Sequence, residues 1–269
     1  MAEMIRAMGG EGQARREPGP LHTLLVALAV CGTCAAVVTA SVVVLRPYQV
    51  ANRQWDREMQ VRALVAGLPG ISDLVTEAGD ARPDTRVVEL ATGAYATDVT
   101  AEQLLATSED ERESVRLPRE RDLAGIGSRP RFAPIYVLER EGAVHTVILP
   151  VSGQGYLATM RGYLALAGDG GTIRGITFTE HKETPGLGSE IENPVWQRLW
   201  RGKRLRDEDG NVRVRVVRDA PSGPDAVHQV QGISGATKTG DGVSNLVRFW
   251  VGPDGFGPYL ERLREGGAQ

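Results

Sequence analysis

Between Thr23 and Leu45 the chain carries no charged residue. As a helix such a run measures about 33 Å, enough to cross the ~30 Å hydrocarbon layer of a bilayer. The pattern predicts one transmembrane helix. A signal peptide is the competing reading, with Arg15 and Arg16 as a positive region and Val38-Thr39-Ala40 as a cleavage site. The run exceeds the roughly 7 to 15 apolar residues of such leaders, and Arg46 follows as a stop-transfer charge, which favours an anchor. From Ala51 to Leu68 the spacing of Val61, Leu64, Val65 and Leu68 predicts a polar amphipathic helix, closed by Pro69-Gly70 and read as a stalk. Next come loops and a few short strands, among them Arg86 to Leu90, with breakers at Pro83, Pro118, Gly125, Gly127 and Pro130.

From Ile135 the period changes to two. Ile135 to Glu139 and Val144 to Leu149 alternate as paired strands around Glu141-Gly142, followed by strands from Ala158 to Ala167 and from Thr172 to Thr179 around Asp169-Gly170-Gly171. This is an antiparallel meander. Asn193-Pro194 predicts a capped helix with Val195, Trp196, Leu199 and Trp200 on its apolar side, ended by Gly202. Val212 to Val217 alternates as a half-buried strand. Val243, Leu246, Val247, Trp250 and Val251 recur at helical spacing until Gly252-Pro253. Strands cluster and helices stand apart, so the fold class is α+β: a membrane helix, then a mainly antiparallel sheet with peripheral helices. The implied organisation is a tail over 1–22, a transmembrane helix over 23–45, a stalk and membrane-proximal segment over 46–130, and a main domain over 131–265.

The chain has 269 residues, 41% of them apolar and 24% charged, as in a globular protein. With 31 Lys and Arg against 34 Asp and Glu, no sustained basic face is available for nucleic acid. Arg6, Arg15 and Arg16 precede the apolar run and Arg46, Arg53, Arg57 and Arg62 follow it, so the positive-inside rule does not orient it. Cys31 and Cys34 lie one turn apart inside it, where cysteine usually serves as a small packing residue.

Two segments carry candidate chemistry. In Ile233-Ser234-Gly235-Ala236-Thr237-Lys238-Thr239, small neighbours leave a threonine hydroxyl open to a phosphoryl group. Gly235 permits backbone angles that let successive N–H groups converge on phosphate oxygens, and Lys238 adds positive charge. The same residues also suit an ordinary turn between strand and helix. In His181-Lys182-Glu183-Thr184-Pro185-Gly186-Leu187-Gly188, Pro185-Gly186 matches the centre of a type II turn, which brings backbone close to a flat ring with Leu187 to pack on it. His181 taken alone reads as a structural hydrogen-bonding residue. No His-Glu-x-x-His, Gly-x-Ser-x-Gly, P-loop or dinucleotide spacing is present, so no metal site or catalytic nucleophile is expected.

Together these loops, with Gly153-Gln154-Gly155-Tyr156, Gly162-Tyr163-Leu164-Ala165-Leu166, Asn193-Pro194, Trp196, Leu199-Trp200, Gly202-Lys203 and Arg248-Phe249-Trp250, resemble the NqrC family of the sodium-translocating NADH:quinone reductase. The resemblance implies a periplasmic domain on a bacterial inner membrane. It implies FMN esterified through its phosphate to Thr237, rather than to Ser234 or Thr239, and installed by a flavin transferase. Ser234, Gly235, Ala236, Lys238 and Thr239 would surround that bond, and His181, Glu183, Thr184, Gly186, Leu187 and Gly188 the ring. The implied role is an electron relay from an iron–sulfur centre towards a second flavin and quinone. Its implied partners are the other components of the complex and the lipid bilayer. Gln231 stands where the family usually has aspartate, Gly240 where it has serine, and Tyr156 where leucine is frequent. One alternative is the related component of an Rnf-type ferredoxin:NAD complex, which shares the flavin loops and is usually shorter. The other is a membrane-anchored scaffold without cofactor.

Overall fold

The computed structural model describes residues 21, 24–25, 28–39, 84–107, 113–140 and 143–266. The chain divides into two units, 1–56 and 57–269. In the first, residues 28–39 are helical, with Leu28, Val30, Val37 and Val38 pointing outwards and Cys31 and Cys34 as exposed free thiols. Thr33 hides its hydroxyl by donating to the Ala29 carbonyl at 2.8 Å, as a polar group on an apolar helix tends to do. Among the described residues no helix is long and apolar enough to cross a membrane. Much of the predicted span over 23–45, and the predicted stalk helix over 51–68, lie outside the described residues.

The second unit is built on a five-stranded antiparallel sheet. Its strands are β1 (Asp84–Glu89), β4 (Phe132–Arg140), β5 (Ala143–Gln154), β6 (Thr159–Ala167) and β7 (Ile173–Glu180), in the spatial order β1-β4-β5-β6-β7. The predicted meander over β4 to β7 is therefore present, although residues 141–142 at its first turn are outside the described set. Register places Val137 opposite Val147 and Val147 opposite Leu166, and Leu149 opposite Leu164 and Leu164 opposite Ile176. These rows of aliphatic side chains, all 0 or 1% exposed, put one face of the sheet in the core. Between β1 and β4 lie a short helix, α1 (Ala101–Ala106), and the two-stranded ribbon β2 (Ser114–Arg116) and β3 (Ser128–Pro130). Thr100 and Gln103 close a capping box at the start of α1.

Helix α2 (Pro194–Arg198) begins where the sequence predicts, with the Asn193 side chain accepting from Val195 N at 2.9 Å. It is only five residues long, and its apolar side is narrower than the pattern suggests. Trp196 and Trp200 are buried edge to face at 5.8 Å, while Val195 and Leu199 are exposed. One helical turn can present one pair four residues apart to the core, and the adjacent pair is rotated about 100° away from it. The alternation over 212–217 likewise yields a strand only at β8 (Arg215–Val217), which pairs in parallel with β9 (Gln229–Gln231).

Helix α3 (Thr237–Trp250) buries Val243, Leu246, Val247, Phe249 and Trp250 against β5 and β8. A further helix, α4 (Gly257–Arg264), is not announced by the pattern. It buries Tyr259, Leu260 and Leu263, and the Tyr259 hydroxyl lies 3.1 Å from that of Tyr95. Because Leu246 is wholly buried in this layer, Leu246→Ala is expected to destabilise the domain by about 2–5 kcal/mol. Val195→Ala, at a position 61% exposed, should stay within about 0.5 kcal/mol. Urea unfolding followed by tryptophan fluorescence checks both.

Candidate functional site

The two loops singled out in the sequence meet beside the N-terminus of α3. After β7 the chain turns at Thr184–Leu187, where Leu187 N donates to Thr184 O at 3.1 Å and Gly186 has φ +73°. This is the predicted type II turn, and its third residue needs the left-handed region that glycine enters freely. Ser189 locks it, accepting from Gly186 N at 3.0 Å through its hydroxyl and donating its own N–H to Thr184 O at 3.1 Å. Leu187 at the tip is 43% exposed. A Cβ placed on Gly235, itself at φ +76°, would lie 3.0 Å from Leu187 Cδ2, so the leucine rests directly over the second loop.

Beneath this contact the loops are tied by Glu183. Its side chain is almost fully buried, with Oε2 accepting from Thr239 Oγ1 at 2.5 Å and Oε1 accepting from Leu157 N at 3.1 Å. One carboxyl group thus joins the segment after β5, the loop after β7 and the first turn of α3. Packing here is close: a Cβ on Gly188 would sit 2.6 Å from Thr239 Oγ1. His181 supports the same loop. Its Nδ1 accepts from Glu183 N at 3.1 Å, which assigns the ring proton to Nε2, 2.9 Å from Glu192 Oε1.

The second loop opens α3. Ala236 is the N-cap residue, with no side-chain cap, and Thr237 is the first helical residue. The N–H groups of this first turn therefore lack the acceptor that a Ser or Asp cap supplies. Ser234, Gly235, Thr237 and Lys238 are exposed, whereas Ala236, Thr239 and Gly240 are buried. A cleft of about 400 Å³ runs beside Thr237, walled by Ile233–Thr237 and Gly240 on one side and by Val216–Asp219 on the other, with Asp241 at its edge. Ser244 keeps the walls in register, donating to Gly240 O and accepting from Val216 N, both at 2.8 Å.

The sequence expectations are thus separated by depth. Thr184, Gly186, Leu187, Ser234, Gly235, Thr237 and Lys238 face outwards, while Glu183, Gly188, Ala236 and Thr239 form the support underneath. Lys238 is placed differently from its expected role. Its ammonium lies 5.0 Å from the centre of the Tyr156 ring, where cation–π attraction holds it, and it does not line the cleft. Arg218 and Asp219 do line it, and no motif in the sequence signals them. Tyr156 and Leu157, both more than half exposed, extend the apolar surface next to Leu187's loop. Gln231 keeps its side chain exposed at the end of β9 and offers its carbonyl to Trp196 Nε1 at 2.8 Å, so the departure from aspartate leaves the fold unstrained.

A sequence profile of the FMN-binding domain matches residues 155–252, which span both loops. The NqrC protein of the Na(+)-translocating NADH-quinone reductase from Pseudomonas aeruginosa is 41% identical, over 92% of this chain and 97% of that protein. Its namesake from Yersinia pestis is 39% identical over 91% and 93%. Among solved structures, Shewanella oneidensis NqrC superposes with a TM-score of 0.63 at 30% identity, covering 72% of this chain and 88% of that one. The corresponding protein from Parabacteroides distasonis, at 24% identity and a TM-score of 0.57, shares the fold.

Thr239→Val would leave Glu183 Oε2 buried without its donor, at an expected cost of about 1–3 kcal/mol. Thr237→Val, at an exposed site, should change stability by less than about 0.5 kcal/mol. Chemical denaturation of the two variants in parallel measures the difference.

Proposed function

This chain belongs to the NqrC family of the Na(+)-translocating NADH-quinone reductases, an enzyme complex, and from that premise we propose that it is the complex's tethered-flavin electron relay. In this reading FMN is bound through its phosphate to the oxygen of Thr237. The observation that carries it is the contrast between the two threonines of the loop. Thr239 is buried with its hydroxyl committed to Glu183, whereas Thr237 is exposed at the mouth of a cleft. Ser234 is also exposed, but Thr237 alone of these stands at the first position of α3, where unpaired N–H groups and the helix dipole favour an anionic phosphodiester.

The surrounding residues fit such a group. Gly235 and Ala236 leave the hydroxyl open to a phosphoryl donor: in a reaction we assign to a flavin transferase, the Thr237 oxygen would bond the flavin's phosphorus as the phosphoanhydride bond of a flavin dinucleotide breaks, the other nucleotide leaving with the hydroxyl proton. Leu187, held over Gly235 by the type II turn, offers an apolar surface for a ring, and Tyr156 and Leu157 continue it. FMN, when bound, supplies a ring that accepts and releases single electrons. The chain then provides position and environment, and such a step requires no general acid or base. We place the donor in an iron–sulfur centre of the membrane components and the acceptor in a second flavin on the way to quinone. The outward-facing apolar side chains of residues 28–39 support a single-pass anchor, and the inner membrane and the periplasmic side of the flavin domain rest on the family resemblance alone. The similarity spans 92% of the chain and so takes in most of the stretch before residue 130, which supports the sodium pump over an Rnf-type complex.

Thr237→Ala, produced in a host with an active flavin transferase, is expected to lose covalent flavin fluorescence on a denaturing gel while unfolding at the parent's midpoint. Persistent fluorescence would move the bond to Ser234 or elsewhere. Leu187→Asp, by placing a carboxylate against the ring, is expected to shift the flavin's reduction potential. An unchanged potentiometric titration would remove this loop from the ring site.

A further inference from the structure

A second cavity, of about 440 Å³, lies apart from the flavin loops. Its floor comes from alternate positions of the sheet, including Tyr136, Pro150, Ser152 and Tyr163, and the β2–β3 ribbon forms a wall. Three charged residues line it among those described: Arg129, Arg161 and Glu180. Arg161 and Glu180 pair with each other at 3.4 Å. Arg129 has no such partner among the described residues.

Arg129 is the middle residue of β3 and only 7% exposed. Its Nη1 donates to the carbonyl of the next residue, Pro130, at 3.2 Å, and its Nε is buried without an acceptor. The carboxylate that pulls on it electrostatically is Asp254, which is already held by Arg121 through two parallel hydrogen bonds, one of them 2.9 Å between Nε and Oδ2. That pair sums to zero, so the net charge at this end of the cavity is that of Arg129. Burial pushes the Arg129 pKa down from its ordinary value, partly opposed by Asp254, yet a guanidinium does not give up its proton in a protein. A cation is therefore kept out of water beside an open space, with one neutral carbonyl as its acceptor. Buried charges are otherwise paired or bonded to several acceptors.

We propose that this cavity is a binding site for a small oxyanion from solution, a carboxylate or a phosphate, held by the guanidinium of Arg129. The planar fork suits two oxygens of one anion. Ser128, Thr159 and Thr179 also line the cavity, and the Thr179 hydroxyl is turned to the Arg161 carbonyl at 3.5 Å, so the charge that recognises the anion is that of Arg129. Lysine would supply the charge without the fork, so the geometry selects the ligand by shape as well as sign. The site is independent of the flavin reading and stands whether or not Thr237 is modified.

The test is calorimetric titration of the full chain in detergent with sodium phosphate and, separately, sodium succinate, against a chloride background of constant ionic strength. The expected result is saturable binding of at least one of the two probes, weakened at least tenfold in Arg129→Gln and less in Arg129→Lys. Thr179 is exposed at the cavity lining, so Thr179→Trp folds without disturbing the core and should abolish binding by filling the space. The Thr179 variant decides the matter if Arg129→Gln fails to fold. Absence of saturable binding for both probes, or an affinity within twofold of the parent's in Thr179→Trp, would overturn the proposal.

Discussion

The hydrogen bond between Thr239 and Glu183 is the constraint on which the site depends. It links residues 56 positions apart, and Glu183 uses its other oxygen to hold a third segment at Leu157. Two of the three segments are loops, which taken separately have little to fix them, and the third is the first turn of α3. A buried carboxyl group with its donors in place is costly to displace, because any movement of one loop leaves an oxygen without its donor. The loops therefore move together or stay put. Leu187 over Gly235, and the cleft at Thr237, inherit their positions from that bond.

The same bond divides the labour among chemically similar residues. A threonine at the first position of α3 and another two residues later are rotated about 200° apart around the helix axis. One must face outwards if the other faces in. Glu183 takes the inner hydroxyl out of play and leaves the outer one exposed. Lys238, between them, lies over Tyr156 instead of in the cleft. Arg218 across the cleft is offset by Asp219 and Asp241, so what favours an anion at Thr237 is the open N–H groups of the helix start.

What the sequence disclosed and what it did not follow from how far each signal reaches. The meander strands were legible because alternation is local and the sheet has one buried face, as Val147, Leu149 and Val151 illustrate. The type II turn was legible because Pro185-Gly186 leaves few other choices. The depth of α2 was not, because Val195 and Trp196 are equally apolar on paper and only the tertiary direction of one short turn separates them. Helix α4 was missed because Gly257-Pro258 opens it and its buried residues, Tyr259, Leu260 and Leu263, make too brief a period to stand out. The cleft wall at Arg218 and the burial of Glu183 depend on contacts between distant segments, which no local pattern encodes. Resemblance alone singled out Thr237 in the sequence; the geometry adds that it is exposed where Thr239 is buried.

Helix α3 touches both cavities, with Thr237 at its first residue and Trp250, whose Nε1 donates to Ser152 O at 2.7 Å, at its last. Its fourteen residues span about 21 Å. Charges at that separation are weakly coupled in solution, where the screening length is about 8 Å at physiological ionic strength. A mechanical link would need α3 to have two resting positions, since coupling is carried by elements with alternative packings. Val243, Leu246 and Val247 fill its buried face completely and Ser244 pins it to β8, which opposes any second register. The helix thus acts as a spacer: it sets where the two ends lie and gives neither end a means of altering the affinity of the other.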